Sequence, residues 1–171
     1  MFALVKSDNS IKLFSPYTIW EDKNGTQYSP DQLLSLTTSQ KQDLGIYDVA
    51  YSARPNDIFY TVIENSPEFD QNEKVVKITY TSTPKDLEDG EPDADGVRTI
   101  GLKTLFINQA RLAANAALAD TDWMLVRKIE RNVDVPAEVS TARAAIVTTA
   151  DEKVTVISAV TTVEELIALV G

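Results

Sequence analysis

The stretch Ala116-Ala117-Leu118-Ala119-Asp120-Thr121-Asp122-Trp123-Met124-Leu125-Val126-Arg127-Lys128-Ile129-Glu130 decides the class of this chain. Asp120 or Thr121 can cap a helix that carries Trp123, Val126 and Ile129 on its buried side. Upstream, Leu102, Leu105, Phe106, Leu112, Ala113 and Ala116 make an apolar stripe within an alanine-rich run of high helix propensity. The pattern predicts one helix over about 101–119 and a second that stops near Asn132. Pro136 stands where a third helix begins, turning Val139, Ala142 and Ile146 inward. Lys153-Val154-Thr155-Val156-Ile157 has strand propensity, which leaves residues 147–160 open between helix and strand. Thr162-Val163-Glu164-Glu165 has capping-box spacing and starts a short final helix with Val163, Leu166, Ile167 and Val170.

The first 83 residues read differently, as short β segments broken by turns. Phe2, Leu4 and the alternation through Ile11-Lys12-Leu13-Phe14 predict a hairpin around Ser7-Asp8-Asn9-Ser10. Asp22-Lys23-Asn24-Gly25 is a turn signal, because Asn-Gly tolerates positive φ, and it joins strands at 17–21 and 26–28. Ser29-Pro30-Asp31 starts a short helix with Leu33, Leu34 and Leu36 inward, and a second helical turn over 39–44 closes at Gly45. Strands follow at 59–64 and 74–82. In the latter, Val76, Ile78 and Tyr80 share one face, predicting one buried and one wet side. Trp20 beside Tyr17 and Tyr28 reads as a sheet-packing cluster.

Between these regions Asp86, Glu88, Asp89, Glu91, Asp93 and Asp95 crowd a stretch that also holds Gly90, Pro92 and Gly96. Mutual repulsion and little to bury predict a mobile linker at 84–98. The expected architecture is α+β: a small β-rich domain at 1–83, that linker, and a helical hairpin or bundle at 99–171.

Composition excludes much chemistry. The chain has no histidine and no cysteine, which removes zinc fingers, iron–sulfur ligation, thiol catalysis and His-based nucleophile activation. A formal net charge of −10 argues against nucleic acid, whose phosphates are held by clustered Lys and Arg. No window approaches the ~18–20 apolar residues that span a membrane, and the amino terminus has no basic region before an apolar run. A soluble protein with no membrane partner is the expectation.

Glu91, Asp93, Asp95 and Gly96 match positions of a calcium loop, but Pro92 falls at its second position and Leu102 where a bidentate carboxylate is needed. A solvated segment accounts for the acids better, so no metal or cofactor is expected. No glycine-rich phosphate loop is present, and no spacing selects a carboxylate pair, which points away from an enzyme. Trp123 has two readings. It either pins two helices together in a core or stands exposed as a partner anchor. Arg127 and Glu130 are spaced to pair on one helix face.

Several segments taken in order resemble a family of small bacteriophage tail and tail-fibre assembly proteins. In the first half these are Asn24-Gly25-Thr26-Gln27-Tyr28, Leu44-Gly45-Ile46-Tyr47, Arg54-Pro55-Asn56-Asp57, Phe59-Tyr60 and Lys85-Asp86-Leu87. In the second half the similar blocks are Ala119 to Glu130, Val135-Pro136-Ala137-Glu138-Val139 and Arg143-Ala144-Ala145-Ile146. The acidic segment Glu88–Gly96 looks like an insertion. The resemblance implies a non-enzymatic assembly chaperone made in the host cell cytoplasm, with a phage tail-fibre or tail subunit as partner. Its alternative is a minor structural protein kept in the virion tail, where it forms a homo-oligomer within the assembly. For the chaperone, the expected partner-binding face is the one carrying Trp123, Met124, Arg127 and Glu130.

Overall fold

The computed structural model describes residues 1–171 and has the α+β character expected, a β-rich first half and a helical second half. The chain divides into two compact units, Met1–Thr83 and Pro84–Gly171.

In the first unit, β1 (Phe2–Val5) and β2 (Ile11–Phe14) form the predicted hairpin. β3 (Trp20–Glu21) and β4 (Gln27–Tyr28) pair across the Asn-Gly turn, with Gly25 at φ 84°. Two short helices follow, α1 (Pro30–Ser35) and α2 (Thr38–Asp43). In both capping boxes the N3 glutamine returns to the cap: Gln32 Oε1 accepts the Ser29 N–H and Gln40 Oε1 that of Thr37. Gly45, at φ 81°, ends the second helix where a Cβ would lie 2.9 Å from the Val5 carbonyl oxygen.

β5 (Ile46–Tyr51), which sequence reading missed, is the centre of the main sheet. It pairs antiparallel with β1 and parallel with β8 (Val75–Ile78). β6 (Tyr60–Glu64) leaves this sheet, and β7 (Glu68–Asp70) closes it beyond β8, giving the order β2-β1-β5-β8-β7. The expected strand over 74–82 is broken at Thr79. β9 (Tyr80–Pro84) pairs with β6 in a separate ribbon, so Val76 and Ile78 are buried as expected while Tyr80 serves a different sheet.

Leu4, Trp20, Leu33 and Ile46 make the core under one face, with Phe2, Phe14, Tyr28, Leu36 and Leu44 packed against it. Trp20 stacks on Tyr28 at 4.4 Å and donates its indole N–H to the Ser29 carbonyl at 3.0 Å. Tyr17 is exposed and takes no part; the second ring stacked on the indole is that of Phe14. Leu34 also departs from expectation. It points to solvent, since a helix this short presents only Leu33 to the core.

In the second unit the two helices expected at 101–132 are a single one, α3 (Leu102–Arg131). Asp120 and Thr121 do not cap a new helix, because the alanine-rich run ahead of them propagates straight through and the Thr121 hydroxyl is satisfied by the Leu118 carbonyl. Asn132, at φ 53°, supplies the left-handed stop that glycine usually provides. α4 (Ala137–Ala159) is helical through the β-prone segment, and α5 (Val163–Val170) follows behind the Thr162–Glu165 capping box.

α3 and α4 pack as a hairpin. Half-buried Ile107, Ala110, Ala114, Leu118, Thr121 and Met124 recur every three or four residues on α3, as do half-buried Val139, Arg143, Ile146, Ala150 and Val154 and buried Ile157 on α4. Such spacing is the seam of a two-helix coil. Ala142, expected inward, lies just off this stripe and is exposed.

The acidic stretch, expected as a linker at 84–98, falls within the second compact unit. It folds over the start of α3: Asp86 and Leu87 carbonyls accept the N–H groups of Leu102 and Lys103, and Asp89 Oδ1 accepts that of Gly101 at 2.8 Å. Helix N-termini present unsatisfied N–H groups and a positive dipole end, and the Asp89 carboxylate meets that need here in a way composition hides.

Candidate functional site

α3 carries apolar residues around its whole circumference, whereas the hairpin covers only one stripe of it. Leu105, Leu112, Trp123 and Val126 fall on the side away from the seam, at near-whole-turn separations, and all are exposed. Trp123 is 52% and Ile129 85% exposed, which corrects the expectation that Trp123, Val126 and Ile129 are buried by their helix. A helix that is apolar all round and covered on one side leaves a surface characteristic of an interaction site.

Of the four residues singled out in the sequence, Trp123, Arg127 and Glu130 lie along this outer side. Met124 is turned toward the seam and half-buried. Arg127 does not pair with Glu130 but lies over the Trp123 ring, its guanidinium carbon 4.8 Å from the centroid. An arginine one helical turn from a tryptophan gains cation–π attraction while covering part of the indole. Its Nε is closed off from water and has no hydrogen-bond partner.

Arg143 holds the two helices in register beneath this face. Its Nη1 donates to the Leu118 carbonyl at 2.9 Å and to the Thr121 hydroxyl, and its Nη2 ion-pairs with Asp122 at 2.7 Å. The two sequence blocks that looked most distinctive, around Trp123 and Arg143, are therefore in contact. Sequence reading did not foresee that contact, although a lone arginine on an otherwise apolar α4 stripe was its available signal.

Along the hairpin runs an open apolar groove. A depression of about 300 Å³ is bordered by Ala113, Ala117, Ala145 and Thr149. A second, of about 350 Å³, shares Ala110, Ala113 and Lys153 with it and continues to Val156 and Leu169. Thr149, Lys153 and Gln109 are the polar side chains in walls that are otherwise apolar.

Electrostatic features elsewhere serve local turns. Burial pushes the Asp22 carboxyl up, but the N–H groups of Thr26 and Asn24 and the Tyr28 hydroxyl outweigh it and hold the group below the ordinary aspartate value. The Gly101 N–H and the Thr104 hydroxyl likewise lower Asp89. Asp93, in the calcium-like segment, turns its Oδ1 onto the N–H groups of Asp95 and Val97. No three carboxylates converge as a metal site, and no helix is long and apolar enough to cross a membrane.

No protein-family model, curated protein or solved structure matches this chain.

Proposed function

We propose that this chain is a non-enzymatic bacteriophage morphogenesis protein that binds a tail-fibre or tail subunit through the outer face of α3. The observation that carries the binding role is the exposed Trp123 with Arg127 laid across it, on a helix whose apolar surface continues through Val126 and Leu112. Tryptophan and arginine dominate interface energetics because each removes a large surface from water and keeps a polar handle. The phage assignment rests on the ordered resemblance of Asn24–Tyr28, Ala119–Glu130 and Arg143–Ile146 to tail assembly proteins.

As an assembly chaperone, acting in the host cytoplasm, the hairpin covers an apolar or unpaired edge of the subunit until assembly removes it. Retention as a minor component of the virion tail is the alternative. The test is co-purification from infected cells with Trp123→Ala and Arg127→Ala variants whose helicity is intact. Capture of a tail subunit is expected to fall at least tenfold; undiminished capture by both variants sinks this face. Quantifying the chain in salt-washed particles then separates chaperone from retained component.

A further inference from the structure

The two ends of α3 carry complementary surfaces. From Asp122 to Asp134 three cations and three carboxylates are present, but Asp122 is taken by Arg143 and Asp134 by Lys128, which leaves Arg127 and Arg131 beside Glu130 in a chain of net charge −10. Lys128 is engaged by Asp134 at 3.2 Å, whereas the shielded Nε of Arg127 has no acceptor. Exposed Trp123 lies under that guanidinium, and Val126 and Ile129 are exposed on the same stretch of helix.

At the other end, the segment 90–100 forms a turn closed by Gly90 N–H to the Thr99 carbonyl at 2.8 Å and Asp93 N–H to the Val97 carbonyl at 2.9 Å. Asp89 and Asp93 are consumed by their own backbone, but Glu91 and Asp95 face solvent, flanked by exposed Val97 and Ile100. One end thus offers cations among apolar side chains, and the other offers carboxylates among apolar side chains.

We propose that copies of this chain associate head to tail, the 90–100 turn of one copy seated against the Trp123–Arg127 face of the next. Trp123 and Arg127 lie more than twenty residues along α3 from its start at Leu102, about 32–38 Å at 1.5 Å per residue, so neither surface can satisfy the other within one chain. The contact is heterologous, and it closes into a ring or continues as a filament according to the rotation between copies. Opposed charges set the orientation and make the contact salt-sensitive. The inference rests on the same face as the proposed partner contact, and a tail subunit competes with the second copy for it.

Sedimentation velocity of the full chain over a concentration series tests this. Wild type is expected to grow beyond dimer with concentration and to dissociate at high salt. The face variant Arg127→Ala and the turn variant Glu91→Gln with Asp95→Asn are each expected to weaken self-association at least tenfold. Each retains one intact surface, so an equimolar mixture is expected to form a heterodimer and nothing larger. A wild type that stays monomeric, or an assembly that persists in both variants, overturns the proposal; the latter result indicates another surface, such as the alanine groove. The turn variant also keeps the two readings apart. It loses self-association yet captures a tail subunit normally, whereas failure of the tail-subunit reading leaves wild-type sedimentation unaltered.

Discussion

Arg143 of α4 and Asp122 of α3 form a 2.7 Å ion pair whose cation is only 15% exposed while its carboxylate is 58% exposed. The asymmetry shows where the energy lies. The Asp122 contact is largely solvated, and the bonds from Arg143 to the Leu118 carbonyl and Thr121 hydroxyl are the shielded ones. A seam rich in alanine at Ala110, Ala114 and Ala150 defines register weakly, because small side chains fit almost as well one turn away. A polar fork at one level removes that ambiguity.

Arg143→Ala is therefore expected to destabilise the helical unit by about 1–3 kcal/mol through unsatisfied shielded groups. Asp122→Asn is expected to cost no more than about 1 kcal/mol, as for an exposed pair. Urea unfolding followed by ellipticity at 222 nm ranks the two; equal losses would place the energy in the ion pair instead.

Gly101 meets the acidic segment so closely that a Cβ there would overlap the Glu88 carbonyl. Gly101→Ala is expected to lift the 86–90 segment from the helix start, at about 1–3 kcal/mol as for other overpacked sites. Hydrogen exchange should report it directly. The Leu102 and Lys103 amides, bonded to the Asp86 and Leu87 carbonyls, lose protection while amides in the middle of α3 keep theirs.

The first unit should be acid-sensitive at Asp22. Its carboxyl lies lower in the folded chain than in the unfolded one, so the unfolded state takes up a proton first as pH falls. The stabilisation is complete above the ordinary aspartate value near 3.9 and is lost as pH drops through the folded value. Asp22→Asn removes this dependence. Comparing urea midpoints of the first unit at pH 7 and pH 3, the variant should show the smaller decrease; identical decreases would exclude Asp22 as a source.

Leu33 and Leu34 are neighbours in sequence with opposite fates. Leu33→Ala opens a cavity under the sheet beside Trp20 and should cost about 2–5 kcal/mol. Leu34→Ala alters an exposed side chain and should stay within about 0.5 kcal/mol. Thermal unfolding followed by the buried Trp20 distinguishes them, and a large loss at Leu34 would mean that its face is covered.

Much of the first unit was legible because its signals are local. Asn24-Gly25 demands positive φ, and Ser29-Pro30 demands a helix start. β5 was not legible, since Ile46-Tyr47-Asp48-Val49-Ala50-Tyr51 becomes a central strand only through pairing with residues far away in sequence. The same limit hid the role of the acids. Asp89 looks like linker charge until Gly101 is placed beside it. For the candidate face, the sequence grouped Trp123, Met124, Arg127 and Glu130, but spacing alone could not say which side faces α4, and Met124 turns toward the seam. Apolar residues all round α3 leave that choice to Arg143 and the seam.

The thinness of the α3–α4 pair has a mechanical consequence. Two parallel rods joined edge to edge resist bending within their common plane far more than across it, so the hairpin is a flat spring with one compliant direction. The Arg143 fork opposes shear between the rods, which makes them flex together as one beam.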